Sequence, residues 1–286
     1  MNEYALFVPY EGEHLASVLT VPDDDARGLV LLVTGTGAPR SHRFQLWTRL
    51  ARRLAENGFA SVRMDYRGIG DSTGRLLQPT LGDRRLDQAL SVAHFGMRAV
   101  GTTRLGVVGN CSGGIISLGV AATEPACQSA VCVLPRIVQL GKVNQTAMQA
   151  RHSRLAKVVR ANPRLHKLVR NTLTATRDTP SPVVSEAFGP ALDHARVLFI
   201  YSEQDRDPYV GKSLRLLGQM APKLSPERRA RLEVMTTTEG PLHGFESLSA
   251  QEFIIRTATE RMIHTLGGEA SLDGARGASS ADSVAS

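Results

Sequence analysis

The sequence predicts the α/β class: a mainly parallel, doubly covered sheet with an N-terminal antiparallel hairpin and a helical cap insertion. Three observations carry this. Short apolar runs ending in glycines alternate with amphipathic stretches, the pattern of repeated strand–helix units. The strand RLGVVGN turns abruptly into small and apolar residues at helical spacing around Cys111. A basic stretch between residues 142 and 177 then interrupts the alternation. With 286 residues, 42% of them hydrophobic, the chain is long enough for one large domain with an insertion or for two small domains.

The elements follow in order. YALFVPY and HLASVLTV flank EGE and read as the hairpin. GLVLLVTGTG is a buried strand ending in glycines, and WTRLARRLAENGF an amphipathic helix stopped at Gly58. ASVRMDYRGIGDSTG is a strand running into a turn-rich loop, and LGDRRLDQALSVAHFGMRA is helical. After RLGVVGN and its helix come the strand SAVCVL, the basic stretch, the strand ARVLFIYSEQD, the helix YVGKSLRLLGQM and the strand RLEVMTTTEG. SAQEFIIRTATERMIHTL closes the fold, with a capping box expected at Ser249 and Glu252. These boundaries assign 1–134 and 195–266 to the core, 135–194 to the cap and 267–286 to a small, polar, disordered tail.

The net charge of +7 is local. Nine Lys/Arg and no acid lie between Lys142 and Arg177, which leaves 25 cations against 27 acids elsewhere. This segment reads as two short helices broken at Asn162-Pro163, with Leu155, Val158, Val159, Leu165, Leu168 and Val169 gathered on one side. It carries no aromatic residue for base stacking and matches no nucleic-acid motif, so no nucleic-acid partner is expected. No apolar run is long enough to cross a bilayer, and the N-terminus lacks a signal-peptide layout. Three cysteines make no disulfide framework and point to a reducing, cytoplasmic setting. No Cys/His cluster has zinc spacing, and neither metal nor cofactor is expected.

GNCSGG has the form of a nucleophile elbow. The residues two before and two after a nucleophile at a strand-to-helix bend must be tiny, and Gly109 and Gly113 meet that need around Cys111. Centring the turn on Ser112 would place Asn110 and Gly114 at the tight positions, a poorer fit. A nucleophile needs a base, and the base an orienting acid. Asp205, with Glu203 and Asp207 as neighbours, follows one late strand, and His243 follows the last. Both lie at strand carboxyl ends, where open α/β sheets build their sites. Two backbone N–H groups would hold an oxyanion: that of Ser112, and one from the TGTGAP turn at Thr36.

These residues resemble the α/β-hydrolase superfamily, near its serine aminopeptidase-like hydrolases, over roughly Tyr4 to Leu266. The matching stretches are TGTG, DYRGIGDS at Asp65–Ser72, GNCSGG, SEQD at Ser202–Asp205 and HGF at His243. The resemblance implies the α/β-hydrolase fold, the order nucleophile–acid–histidine and a covalent acyl-enzyme. The chain departs from the pattern at Thr34, where a histidine is usual, and at Cys111, where a serine is usual. Cysteine elbows are found in dienelactone hydrolases, polyhydroxyalkanoate synthases and acyl- or aminoacyl-shuttling enzymes of natural-product assembly. Asp65 and Arg67 are expected to hold their loop through charge-assisted hydrogen bonds.

Sulfur at this position leans toward thioester chemistry. An acyl-cysteine is itself a thioester, so acyl exchange with a carrier thiol is nearly balanced, and a thiolate paired with an imidazolium is a strong nucleophile. The expected activity is therefore acyl transfer or thioester hydrolysis on a small-molecule acyl substrate. The basic cap offers a dock for an acidic acyl or peptidyl carrier protein through Arg151, Arg154, Lys157, Arg160, Arg164, Lys167 and Arg170. A solvated helix face and a transient contact with an anionic membrane, without stable insertion, explain the same charges. Two other readings compete: a carrier-independent hydrolase, or ester-eliminating enzyme, of small esters or lactones, and a non-catalytic binding scaffold.

Overall fold

The computed structural model describes residues 1–35, 37–75, 83–139 and 179–267. Eight strands form one sheet: β1 (Asn2–Tyr10), β2 (Glu13–Val21), β3 (Leu29–Val33), β4 (Ala60–Met64), β5 (Leu105–Asn110), β6 (Cys127–Val133), β7 (Arg196–Ser202) and β8 (Leu232–Thr237). Their order is β1-β2-β4-β3-β5-β6-β7-β8. β1 pairs antiparallel with β2, and β2 antiparallel with β4; every later pairing is parallel. The apolar runs explain this. All five residues of β3 are buried, as a central strand covered on both faces requires. The hairpin turns at Glu11-Gly12, both at positive φ.

The described helices are α1 (Leu46–Glu56), α2 (Asp83–Val100), α3 (Ser112–Thr123), α4 (Pro182–His194), α5 (Pro208–Met220), α6 (Pro226–Ala230) and α7 (Leu248–Leu266). α1 and α7 pack together on one face, and α2, α3 and α4 cover the other. α4 lies within 135–194, assigned to the cap from sequence, yet it buries Val184, Ala187, Phe188, Ala191 and Leu192 and packs on α3 and β7. Residues 140–178, with the seven candidate carrier-docking cations, lie outside the described residues, as do Thr36 and the tail from residue 268. Among the described residues no helix is long and apolar enough to cross a membrane.

Of two expectations about local ties, the cap of α7 changes, and the charge-assisted anchoring by Asp65 and Arg67 is met. The cap of α7 is Ser247, whose hydroxyl accepts the Ala250 N–H at 3.4 Å, and not a Ser249–Glu252 box. Ser249 donates instead to the Glu239 carbonyl, and Glu252 pairs with Arg49 on α1. In the DYRGIGDS loop, Asp65 and Arg67 serve as anchors to separate partners. The fully buried Asp65 carboxylate accepts from the Arg40 backbone and guanidinium and from Asp71 N–H. Arg67 pairs with Glu13 of β2 at 3.0 Å.

Candidate active site

β5 delivers Cys111 to the bend before α3 with φ 54° and ψ −120°. A non-glycine residue rarely adopts this backbone. It is imposed from both sides: Cys111 N–H donates to the Val133 carbonyl at 2.8 Å, and Gly114 N–H donates to the Cys111 carbonyl at 3.1 Å. The two flanking glycines are sterically required. A Cβ on Gly109 would lie 2.3 Å from the Gly113 carbonyl oxygen, and one on Gly113 would lie 2.7 Å from those of Val33 and Thr34. Register therefore centres the elbow on Cys111, with Ser112 opening α3. The bend leaves the thiol partly exposed, whereas Cys127 and Cys132 are buried. Burial pushes the Cys127 thiol up to about 12 and that of Cys132 further still.

The turn after β3 wraps this bend. A Cβ built on Gly35 would meet the Cys111 Cβ at 3.2 Å. Gly35 N–H donates to Asn110 Oδ1 at 3.1 Å, so that amide is already used. Thr34, where a histidine is usual in the resembling family, turns its hydroxyl into the loop and donates to the Ala38 carbonyl at 3.0 Å.

Asp205 stands in the loop between β7 and α5, and its carboxylate holds the loop after β8. Oδ1 accepts the His243 backbone N–H at 3.0 Å and Oδ2 that of Leu242 at 3.1 Å. Burial raises the Asp205 pKa above the ordinary aspartate value; the two N–H donors and the charge of the nearby His243 ring oppose that rise. The neighbouring acids are occupied elsewhere. Glu203 accepts from Thr236, while Asp207 caps α5 at Tyr209 N–H and pairs with Arg136 at 2.6 Å. The Arg136 guanidinium also lies 4.8 Å from the Tyr209 ring centroid. The His243 loop is pinned at both ends: Ser202 donates to Gly240 O at 2.7 Å, and Gln251 donates to Phe245 O at 2.7 Å. His243 itself is exposed, while Leu242 and Phe245 on either side are buried.

A contact between the β3 and β8 loops was passed over by sequence reasoning. The buried His42 ring sits between Trp47 and Phe245, with centroids at 5.3 and 5.2 Å. Its backbone is at φ 60°, ψ 174°, and burial lowers its pKa to about 4. Asn110 and Arg136 were also passed over. Asn110 carries a faint signal, being the polar end of an otherwise apolar strand; Arg136 carries none, because its partner lies 71 residues on.

Sheet order, elbow and the two strand-end loops together define an α/β hydrolase. Residues 24–185 match the family described as serine aminopeptidase, S33, and the chain belongs to that family. No curated protein sequence matches it. Among solved structures it is similar to an esterase of Pyrococcus furiosus, with a TM-score of 0.64 and 15% identity over 93% of this chain and 91% of that one. It is also similar to the ferulic acid-bound Est1E of Butyrivibrio proteoclasticus, with a TM-score of 0.62 and 16% identity over 92% and 100%. A dienelactone hydrolase of Anabaena variabilis has a TM-score of 0.55 and 19% identity over 92% and 98%. At these identities the likeness is one of fold.

Proposed function

We propose that this α/β hydrolase works through a covalent acyl-enzyme on Cys111, with His243 as the proton-transfer group and Asp205 as its orienting acid. The observation that carries the reading is the left-handed backbone of Cys111 between two glycines that no side chain can replace. The Cys111 sulfur attacks the carbonyl carbon of an ester or thioester while His243 takes the thiol proton. The tetrahedral oxyanion is met by the Ser112 N–H at the start of α3 and by the N–H of Thr36. The carbon–leaving-group bond breaks, His243 returns the proton to the departing alcohol or thiol, and the acyl group remains on sulfur. Water or an acceptor nucleophile then takes it in the reverse sequence.

Sulfur favours thioester donors, since transfer between thiols leaves the acyl group activated. An acidic carrier protein, drawn by the Lys142–Arg177 cations, is the partner this reading favours. A second reading, hydrolysis of small esters or lactones without a carrier, is favoured by the similar esterases and dienelactone hydrolase. Intact-mass spectrometry after mixing with acyl-loaded carriers, acyl thioesters and chromogenic esters tests both. An acyl adduct absent from Cys111→Ala is the expected result. Rapid ester turnover with no preference for a carrier selects the second reading. A wild-type chain that never acquires an adduct and turns over no donor removes both.

A further inference from the structure

One contact beside the candidate nucleophile comes from the residue before it. β3 and β5 are parallel neighbours whose ladder ends at the Val33–Gly109 pair. The chain of β3 leaves the sheet one residue later and bends over Cys111. At that point the Asn110 side chain takes over from the ladder: its Oδ1 accepts the Gly35 N–H at 3.1 Å within the protein interior. Asn110 is 8% exposed, at the end of a strand whose other residues are apolar or glycine. The turn it holds is close to the reacting atoms, because a Gly35 Cβ would fall 3.2 Å from that of Cys111. The far side of the turn is closed separately. Ala38 N–H donates to Gly35 O at 3.4 Å, and the Thr34 hydroxyl donates to Ala38 O. Trp47 Nε1–H anchors the strand end at Val33 O, 3.3 Å away. Through its bond to the Gly35 N–H the Asn110 side chain ties the turn to the elbow.

We infer that Asn110 is a positioning residue: by holding the Gly35 amide it fixes the turn that wraps Cys111, and it acts on acyl chemistry through that turn without touching substrate. The inference rests on the proposed acyl-cysteine reaction. Thr36, the oxyanion donor of that reaction, follows Gly35 directly in the chain. Oxyanion donors act by being preorganised, so a turn released by one bond loses rate even when every donor is still present.

The test uses the full chain. Asn110→Leu keeps the side-chain size and removes the acceptor; Asn110→Ala does so by truncation, should the leucine fail to fold; Asn110→Asp keeps an acceptor oxygen. The acylation rate with the best ester or thioester donor, KM, alkylation of Cys111 by iodoacetamide and hydrogen exchange at Gly35 N–H are read in each. The expected result in the leucine or alanine variant is a loss of about 10- to 100-fold in acylation, somewhat below the loss of an oxyanion donor itself. KM and the alkylation rate stay within about twofold, since neither uses the oxyanion turn. Exchange at Gly35 rises in that variant and stays protected in Asn110→Asp, which also recovers part of the rate. Unchanged acylation in the variant overturns the role. An equal fall in alkylation also overturns it, because the damage is then to the elbow. A wild-type chain that forms no acyl adduct overturns the reading of Cys111, and the positioning role with it.

Discussion

At the scale of single residues, the site stores strain next to its candidate chemistry. A cysteine held at φ 54°, ψ −120° costs on the order of 1–3 kcal/mol. The surrounding backbone hydrogen bonds and the two glycines hold it there. His42 is a second such residue, with its ring enclosed between Trp47 and Phe245 and a pKa near 4 against an ordinary 6.5. A histidine that resists protonation when folded makes the unfolded chain the better proton acceptor between these values. Stability therefore falls as the pH drops from 6.5 toward 4. From pH 7.5 to pH 5, wild type is expected to lose roughly 2 kcal/mol more than His42→Gln in urea unfolding. Equal losses would show that the ring is not held neutral. The strand-end positions of Cys111, Asp205 and His243 were legible in the sequence, and their joint catalytic role is the proposal made above. Asn110 and His42 were not. Their work is done on Gly35, 75 residues away, and on Phe245 in a distant loop, and no local pattern encodes such partners.

The elements show the same division between local and distant information. Strands and helices could be read from apolar periodicity and glycine stops. The start of α7 could not: serines at 247 and 249 both suit a cap, and tertiary contacts decide between them. Both serines donate to the Glu239 carbonyl, Glu252 is drawn to Arg49, and only the Ser247 hydroxyl also accepts the Ala250 N–H. Helix glycines separate just as cleanly. In α3 a Gly113 Cβ would press on two backbone carbonyls at 2.7 Å, whereas at Gly218 in α5 nothing lies within 4 Å. Gly113→Ala is expected to cost about 2–3 kcal/mol by forced displacement of the β3 end. Gly218→Ala is expected to be neutral or to gain up to about 1 kcal/mol from the better helix propensity of alanine. Chemical denaturation of the two variants side by side checks the contrast, and a tolerated Gly113→Ala would mean that the elbow packs more loosely than these distances.

Across the whole molecule, parallel order places the ends of β5, β7 and β8 along one edge, which is why residues far apart in sequence can share a site. That much followed from the alternation of strands and helices. Within the span assigned to a cap, α4 is amphipathic in the ordinary way and packs on α3 and β7. The junction has its own closure. Gln139 N–H donates to Thr179 O at 2.9 Å, Ser181 N–H to Ile137 O at 2.8 Å, and Val138 bridges Pro180 in antiparallel fashion. Both ends of residues 140–178 thus leave from a stapled neck. Replacing 140–178 by a short Gly-Ser turn is expected to leave one cooperative unfolding transition, with the midpoint moved by no more than about 5 °C. A broadened or lost transition in calorimetry would show that the sheet depends on what was removed. A neck of this kind makes the segment an exchangeable cassette: descendants can lengthen, shorten or swap it without disturbing the pleated scaffold, so change there and foldability are free to evolve on separate tracks.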